Sequence, residues 1–101
     1  MIASDIDGTW LNLTPVEQAG VTAFITGRTF SEYDAFAKEL AQSRPVYMRG
    51  VGEVGGNEQA GEFKALVINW LGVTTFYEDN PLHQNIIHNN CPNCTVVMVI
   101  R

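Results

Sequence analysis

Val21-Thr22-Ala23-Phe24-Ile25-Thr26-Gly27, with the stretch Ser31-Glu32-Tyr33-Asp34-Ala35-Phe36-Ala37-Lys38-Glu39-Leu40 that follows it, decides the fold. The first is a short apolar run with β-branched residues, closed by Gly27, as a buried strand is. In the second, Tyr33, Phe36, Ala37 and Leu40 fall at i, i+3, i+4 and i+7, one apolar stripe along a helix. Ser31 is placed to cap it, with Asp34 in capping-box position. Pro45 drives Arg44 out of the helical region, so this helix ends by Ser43.

The alternation continues on both sides. Val46-Tyr47-Met48, Val73 to Tyr77 and Thr95 to Ile100 are further strand candidates, and Met1 to Ser4 is a brief one. A second helix is expected from Glu62 to Leu71, with Phe63, Leu66, Val67 and Trp70 as its buried stripe. That spacing assigns Phe63 and Trp70 to the core, and Gly72 suits the left-handed position past the helix end. A third helix, Leu82 to His88, has Pro81 at its start. Strands alternating with helices pair in parallel and give a layered α/β fold.

The chain has 101 residues, enough for one domain spanning 1–101. It is 46% hydrophobic and 17% charged, the balance of a globular protein. No apolar run reaches the roughly 18–20 residues that cross a bilayer, so no membrane partner is expected. The start lacks the basic and apolar regions of a signal peptide, which makes a cytoplasmic location the default. Eleven acids against six Lys and Arg give a charge of −5, which disfavours gripping a nucleic-acid backbone. It does not disfavour work on a phosphate through a bound cation, which reverses the local charge. A thin core is compatible with a homodimer, although no residue pattern specifies one.

Parallel sheets bind ligands at the carboxyl ends of their strands. Asp5-Ile6-Asp7-Gly8-Thr9 follows the first strand candidate, Thr26-Gly27-Arg28 the second, and Glu78-Asp79-Asn80 the fourth. Carboxylates gathered there raise one another's pKa unless a cation shares them, and Mg²⁺ is the natural one. Lys64 falls in the first turn of the expected second helix, against the helix dipole, which points to a task.

Taken together, these segments resemble the haloacid dehalogenase superfamily of phosphotransferases. Asp5-Ile6-Asp7-Gly8-Thr9 is similar to its DxDGT first motif, and Phe24-Ile25-Thr26-Gly27-Arg28 to its second. Lys64 fits the third motif, and Phe76-Tyr77-Glu78-Asp79 the fourth. The resemblance implies a Rossmann-like three-layer sandwich with a five-stranded, mainly parallel sheet. It implies Asp5 as nucleophile, forming an aspartyl-phosphate, and Asp7 as acid and then base. Thr26, the Gly27 amide and Lys64 would hold the phosphoryl group. Mg²⁺ would sit on Asp5, the Asp7 carbonyl and Asp79, with Glu78 as a neighbour or extra ligand. The implied activity is Mg²⁺-dependent phosphomonoester hydrolysis of a small phosphorylated substrate or a nucleic-acid end. Thr26-Gly27-Arg28, Tyr47-Met48-Arg49-Gly50 and Tyr77 to Pro81 are also loosely similar to the 3′-phosphatase domain of phage-type polynucleotide kinases. Only Trp10 to Gly20 separates the first two motifs, so there is no room for a cap domain. The same shortening fits a catalytically inactive binding protein of this fold.

Other stretches carry rival readings. Gly50-Val51-Gly52-Glu53-Val54-Gly55 matches the glycine fingerprint of dinucleotide binding. Against it stand a helical stripe that begins near Gly61, the charge of Glu53, and fewer than fifty residues after Gly55. His83, His88, Cys91 and Cys94 are zinc-ligand types, though a turn before the last strand explains them more simply. Trp10 can stack on a base or cover the core edge, and the latter is favoured. Arg28 and Arg49 can meet phosphate or pair with surface acids.

Overall fold

The computed structural model describes residues 1–29, 32, 34–50 and 56–100. Ser31 and Tyr33, expected as cap and stripe residue, and positions 51–55 of the glycine run lie outside that set. Strand β1 (Ile2–Ser4) leads through a 3-10 turn (Trp10–Asn12) and helix α1 (Pro15–Gly20) to β2 (Ala23–Thr29). Helix α2 (Ala35–Ala41), β3 (Val46–Arg49), α3 (Asn57–Leu71), β4 (Thr75–Glu78), α4 (Pro81–Asn90) and β5 (Thr95–Met98) follow. The sheet order is β3-β2-β1-β4-β5 and every pairing is parallel, a Rossmann-like α/β arrangement. No described helix is long and apolar enough to cross a membrane.

Side chains alternate across the sheet and split the core in two. Ala3, Ala23, Ile25 and Phe76 face α3 and α4, joining Ala65, Ile68 and Ile87. Phe24 faces the opposite way, meeting Trp10, Leu13, Val21 and Leu40. Trp10 is buried edge-on against Phe24 at 4.8 Å, so it belongs to the core and offers no stacking surface. The Arg44 guanidinium lies over the same ring, 4.9 Å from its centre.

Local chemistry explains the element boundaries. Thr14 and Glu17 form a capping box with Pro15 in the first turn, which lets α1 exist at six residues. Asp34 caps α2 by accepting from the Ala37 N–H, so this helix starts at Ala35, behind its own acidic residue. Gly72 closes α3 at φ +72°, as expected.

Helix α3 departs from the sequence expectation. It begins at Asn57, about two turns before Lys64, so Lys64 lies mid-helix and the dipole argument does not apply to it. Its buried face is Ala60, Gly61, Lys64, Ala65, Val67 and Ile68, whereas Leu66 and Trp70 are exposed. Trp70 is 74% exposed and meets the Tyr47 ring in a T-shaped contact at 6.1 Å. The reason is space. A Cβ at Gly27 would meet Ala60 Cβ at 2.8 Å, and one at Gly61 would meet Ile86 Cδ1 at 2.9 Å. Helix α3 is wedged between β2 and α4, so small residues, Ala60 and Gly61, stand where it crosses them and the buried face is turned away from Leu66 and Trp70.

The early start of α3 also removes one objection to dinucleotide binding. Topology supplies another: the glycine run follows β3, at the sheet edge. A dinucleotide site needs that turn after the first strand, at the point where strand order reverses. Here Asp5 and Asp7 occupy that place.

Candidate active site

The order of the sheet reverses between β1 and β4, which opens a crevice beyond their carboxyl ends. Asp5 emerges from β1 and Glu78-Asp79 from β4, and Asp5 N donates to Tyr77 O at 3.0 Å, tying the two exits together. Thr26 and Gly27 come from β2, whose pairing with β3 shifts register between Ile25 and Thr29. Such irregularities re-aim backbone and side chains. Buried Arg49 donates from Nε to Gly27 O at 2.9 Å, holding this irregular stretch. Lys64 reaches the crevice from α3, and the close contact of Gly27 with Ala60 brings its Cε within 4.0 Å of the Gly27 Cβ position.

All six expected site residues, Asp5, Asp7, Thr26, Gly27, Lys64 and Asp79, line one pocket of about 270 Å³. Its centre is a buried charge cluster. Lys64 Nζ lies 3.2 Å from Asp5 Oδ1 and 2.8 Å from Glu78 Oε2. Thr9, fully buried, aims its hydroxyl at Asp79 Oδ1 (3.0 Å) and Asp5 Oδ2 (3.3 Å). One proton serves both contacts, so it bridges the two carboxylates alternately. Glu78 Oε1 accepts from the backbone N–H groups of Asp79 and Asn80, both at 3.2 Å. That fixes the turn carrying Asp79.

Burial pushes Asp5 up to about 7, with the Glu78 charge adding to it and the Lys64 ammonium opposing both. A cation at this point relieves the penalty. Ligand oxygens of Asp5, Glu78 and Asp79 lie within 4.8 Å of one another, and this all-carboxylate set suits a hard divalent ion such as Mg²⁺. The cluster contains neither imidazole nor thiolate. Cys91 and Cys94 are buried free thiols in the turn before β5, and burial raises both, Cys94 to about 11. Cys91 donates to Ala65 O, and among the described residues the two thiols form no metal-sized cluster with His83 or His88.

Asp7 stands apart from the charge cluster. Arg28 grips both of its oxygens, Nε to Oδ2 at 2.8 Å and an outer nitrogen to Oδ1 at 2.7 Å. The same guanidinium bonds Asp34 at 2.8 Å. Paired with two carboxylates, Arg28 is held above its ordinary pKa, chiefly by the Asp7 bond. Asp34 is lowered by the Ala37 N–H and then by Arg28.

Two members of the site escaped sequence reasoning. Thr9 was visible only as the end of DxDGT, with no role attached. His83 was visible as a zinc-ligand type; its Nδ1 lies 2.8 Å from Lys64 Nζ and its Nε2 2.7 Å from Asn57 O. Burial and the Lys64 charge hold it below the usual histidine pKa, so it is neutral at pH 7. Nothing in its own stretch of sequence announces this, because the contact depends on α3 and α4 packing through Gly61. No family model, no curated protein and no solved structure matches this chain.

Proposed function

We propose that this chain is a Mg²⁺-dependent phosphomonoester hydrolase of the haloacid dehalogenase kind, working through an aspartyl-phosphate at Asp5. The observation that carries the reading is the meeting of Asp5, Lys64 and Asp79. They come from three separated segments and converge at the one crevice where a parallel sheet places chemistry.

An oxygen of the Asp5 carboxylate attacks phosphorus, and the ester P–O bond breaks as the leaving oxygen takes a proton from Asp7. Asp7 first leaves Arg28 and takes up a proton from solvent, so Arg28 governs its availability as the acid. Asp7 then accepts the proton of a water that attacks phosphorus. The bond to Asp5 breaks, and inorganic phosphate leaves. Thr26, the Gly27 amide and Lys64 border the space for the phosphoryl oxygens and stabilise their charge. Asp5, Asp79 and the Asp7 carbonyl, with Glu78, would hold Mg²⁺, which supplies charge neutralisation and keeps Asp5 ionised. Nucleotides and nucleic-acid ends are the substrate class, and the negative charge of the chain, which disfavours gripping a nucleic-acid backbone, puts small phosphomonoesters first.

Hydrolysis of an aryl phosphate is the test. Activity with Mg²⁺ that stops with EDTA and disappears in Asp5→Asn supports the reading. No turnover across sugar, nucleotide and DNA 3′-phosphates would replace it with a non-enzymatic binding protein.

A further inference from the structure

Lys64 has three N–H bonds to direct, and the fold meets them with three partners. Two are carboxylates of the acidic cluster, Glu78 Oε2 at 2.8 Å and Asp5 Oδ1 at 3.2 Å. The third, His83 Nδ1 at 2.8 Å, is neutral and has no part in the reaction set out above. His83 is 5% exposed. Its Nε2 faces the Asn57 carbonyl at 2.7 Å, and a carbonyl only accepts, so Nε2 carries the ring proton. Nδ1 is then a lone pair aimed at the ammonium.

We propose that His83 is a positioning residue that keeps Lys64 Nζ aimed into the pocket while the carboxylates change partners. The inference rests on the phosphatase reading for what the freed N–H then meets, a phosphoryl oxygen. With all three donors occupied, Lys64 binds a phosphoryl group only by releasing one of them. Asp5 is the partner to be released: its contact is the longest, and its carboxylate is the group that turns to phosphorus. An ammonium tethered by carboxylates alone would follow them. His83 does not move with them, because its ring is clamped between Nζ and Asn57 O. Its Cδ2 would meet a Cβ at Gly61 at 3.0 Å, so the ring packs into space that only a glycine leaves.

The test compares two amides that differ in where they place an acceptor. In His83→Asn the side-chain oxygen stands in for Nδ1; in His83→Gln the amide nitrogen takes the place of Nε2 and donates to Asn57 O, which leaves no acceptor at Nδ1. With both variants folded by thermal scan, tungstate affinity in Mg²⁺ is measured by calorimetry, and kcat and KM on an aryl phosphate by assay. His83→Asn is expected close to wild type. His83→Gln is expected to lose about 10- to 100-fold in tungstate affinity and kcat, the worth of a hydrogen bond to a charged group. Equal behaviour of the two variants overturns the proposal. If wild type neither binds tungstate nor turns over, the phosphatase reading fails, and histidine nitrogen NMR of the wild-type protein decides the positioning role separately. A neutral Nε2–H tautomer supports it; an Nδ1–H tautomer or an imidazolium at pH 7 overturns it.

Discussion

Asp5 is buried to 4% exposure beside Glu78, and its proton affinity rises on folding from an ordinary 3.8 to about 7. A carboxyl group with a raised folded pKa stabilises the fold below the unfolded value, and that contribution is lost as pH rises through the folded one. Metal-free wild type is therefore expected to lose stability between about pH 4 and pH 7 relative to Asp5→Asn, which has no proton to release. Melting both proteins in EDTA at pH 5, 6 and 7.5 checks this; parallel curves would contradict it. Gly27 makes a second residue-scale prediction. Its Cβ position is 2.8 Å from Ala60 Cβ, so Gly27→Ala should cost about 1–3 kcal/mol by denaturant titration. It should also lower turnover, by pushing α3 and Lys64 away from β2. Asp5 and Asp79 were legible in sequence because each stands in an acidic cluster directly after a strand, whereas the first-turn position that marked out Lys64 is mid-helix in the structure, which leaves the resemblance as its signal. Thr9 and His83 act through what they touch, and touch is a product of packing.

At the scale of elements, α3 separates what pattern reveals from what space decides. Its sequence offers Phe63, Leu66, Val67 and Trp70 at helical spacing, and only Val67 of these is fully buried. Ala60 and Gly61 take the inner face where β2 and α4 approach too closely for a larger side chain, and Ala65 and Ile68 fill the core beside them. Ile68→Ala should cost about 2–5 kcal/mol by chemical denaturation, as core truncations do. Trp70→Ala should cost no more than about 1.5 kcal/mol, the upper worth of one aromatic pair. Equal losses would restore the stripe read from spacing. By contrast, α1 and α4 follow from sequence: Thr14-Pro15 and Asn80-Pro81 are capping signals that act within one turn. The strands are legible for a similar reason, since a buried parallel strand is apolar on both faces.

Across the whole molecule, the order β3-β2-β1-β4-β5 does what no single segment does. It sets the first and fourth strands side by side and brings carboxylates some seventy residues apart onto one hydroxyl, Thr9 to Asp5 and to Asp79. The alternation of strands and helices predicted the α/β class, and the structure makes the sheet parallel throughout. Which strands are neighbours was not readable from alternation alone, because either direction of winding satisfies it. The central claim is that this topology leaves Asp5 free to form a bond to phosphorus. Quenching turnover of an aryl phosphate with borohydride, then mapping by mass spectrometry, tests it most directly, since an acyl phosphate is reduced to an alcohol. The account predicts homoserine at position 5 with Mg²⁺ present and unmodified Asp5 in EDTA. Phosphate release with Asp5 unmodified at every quench time would contradict it.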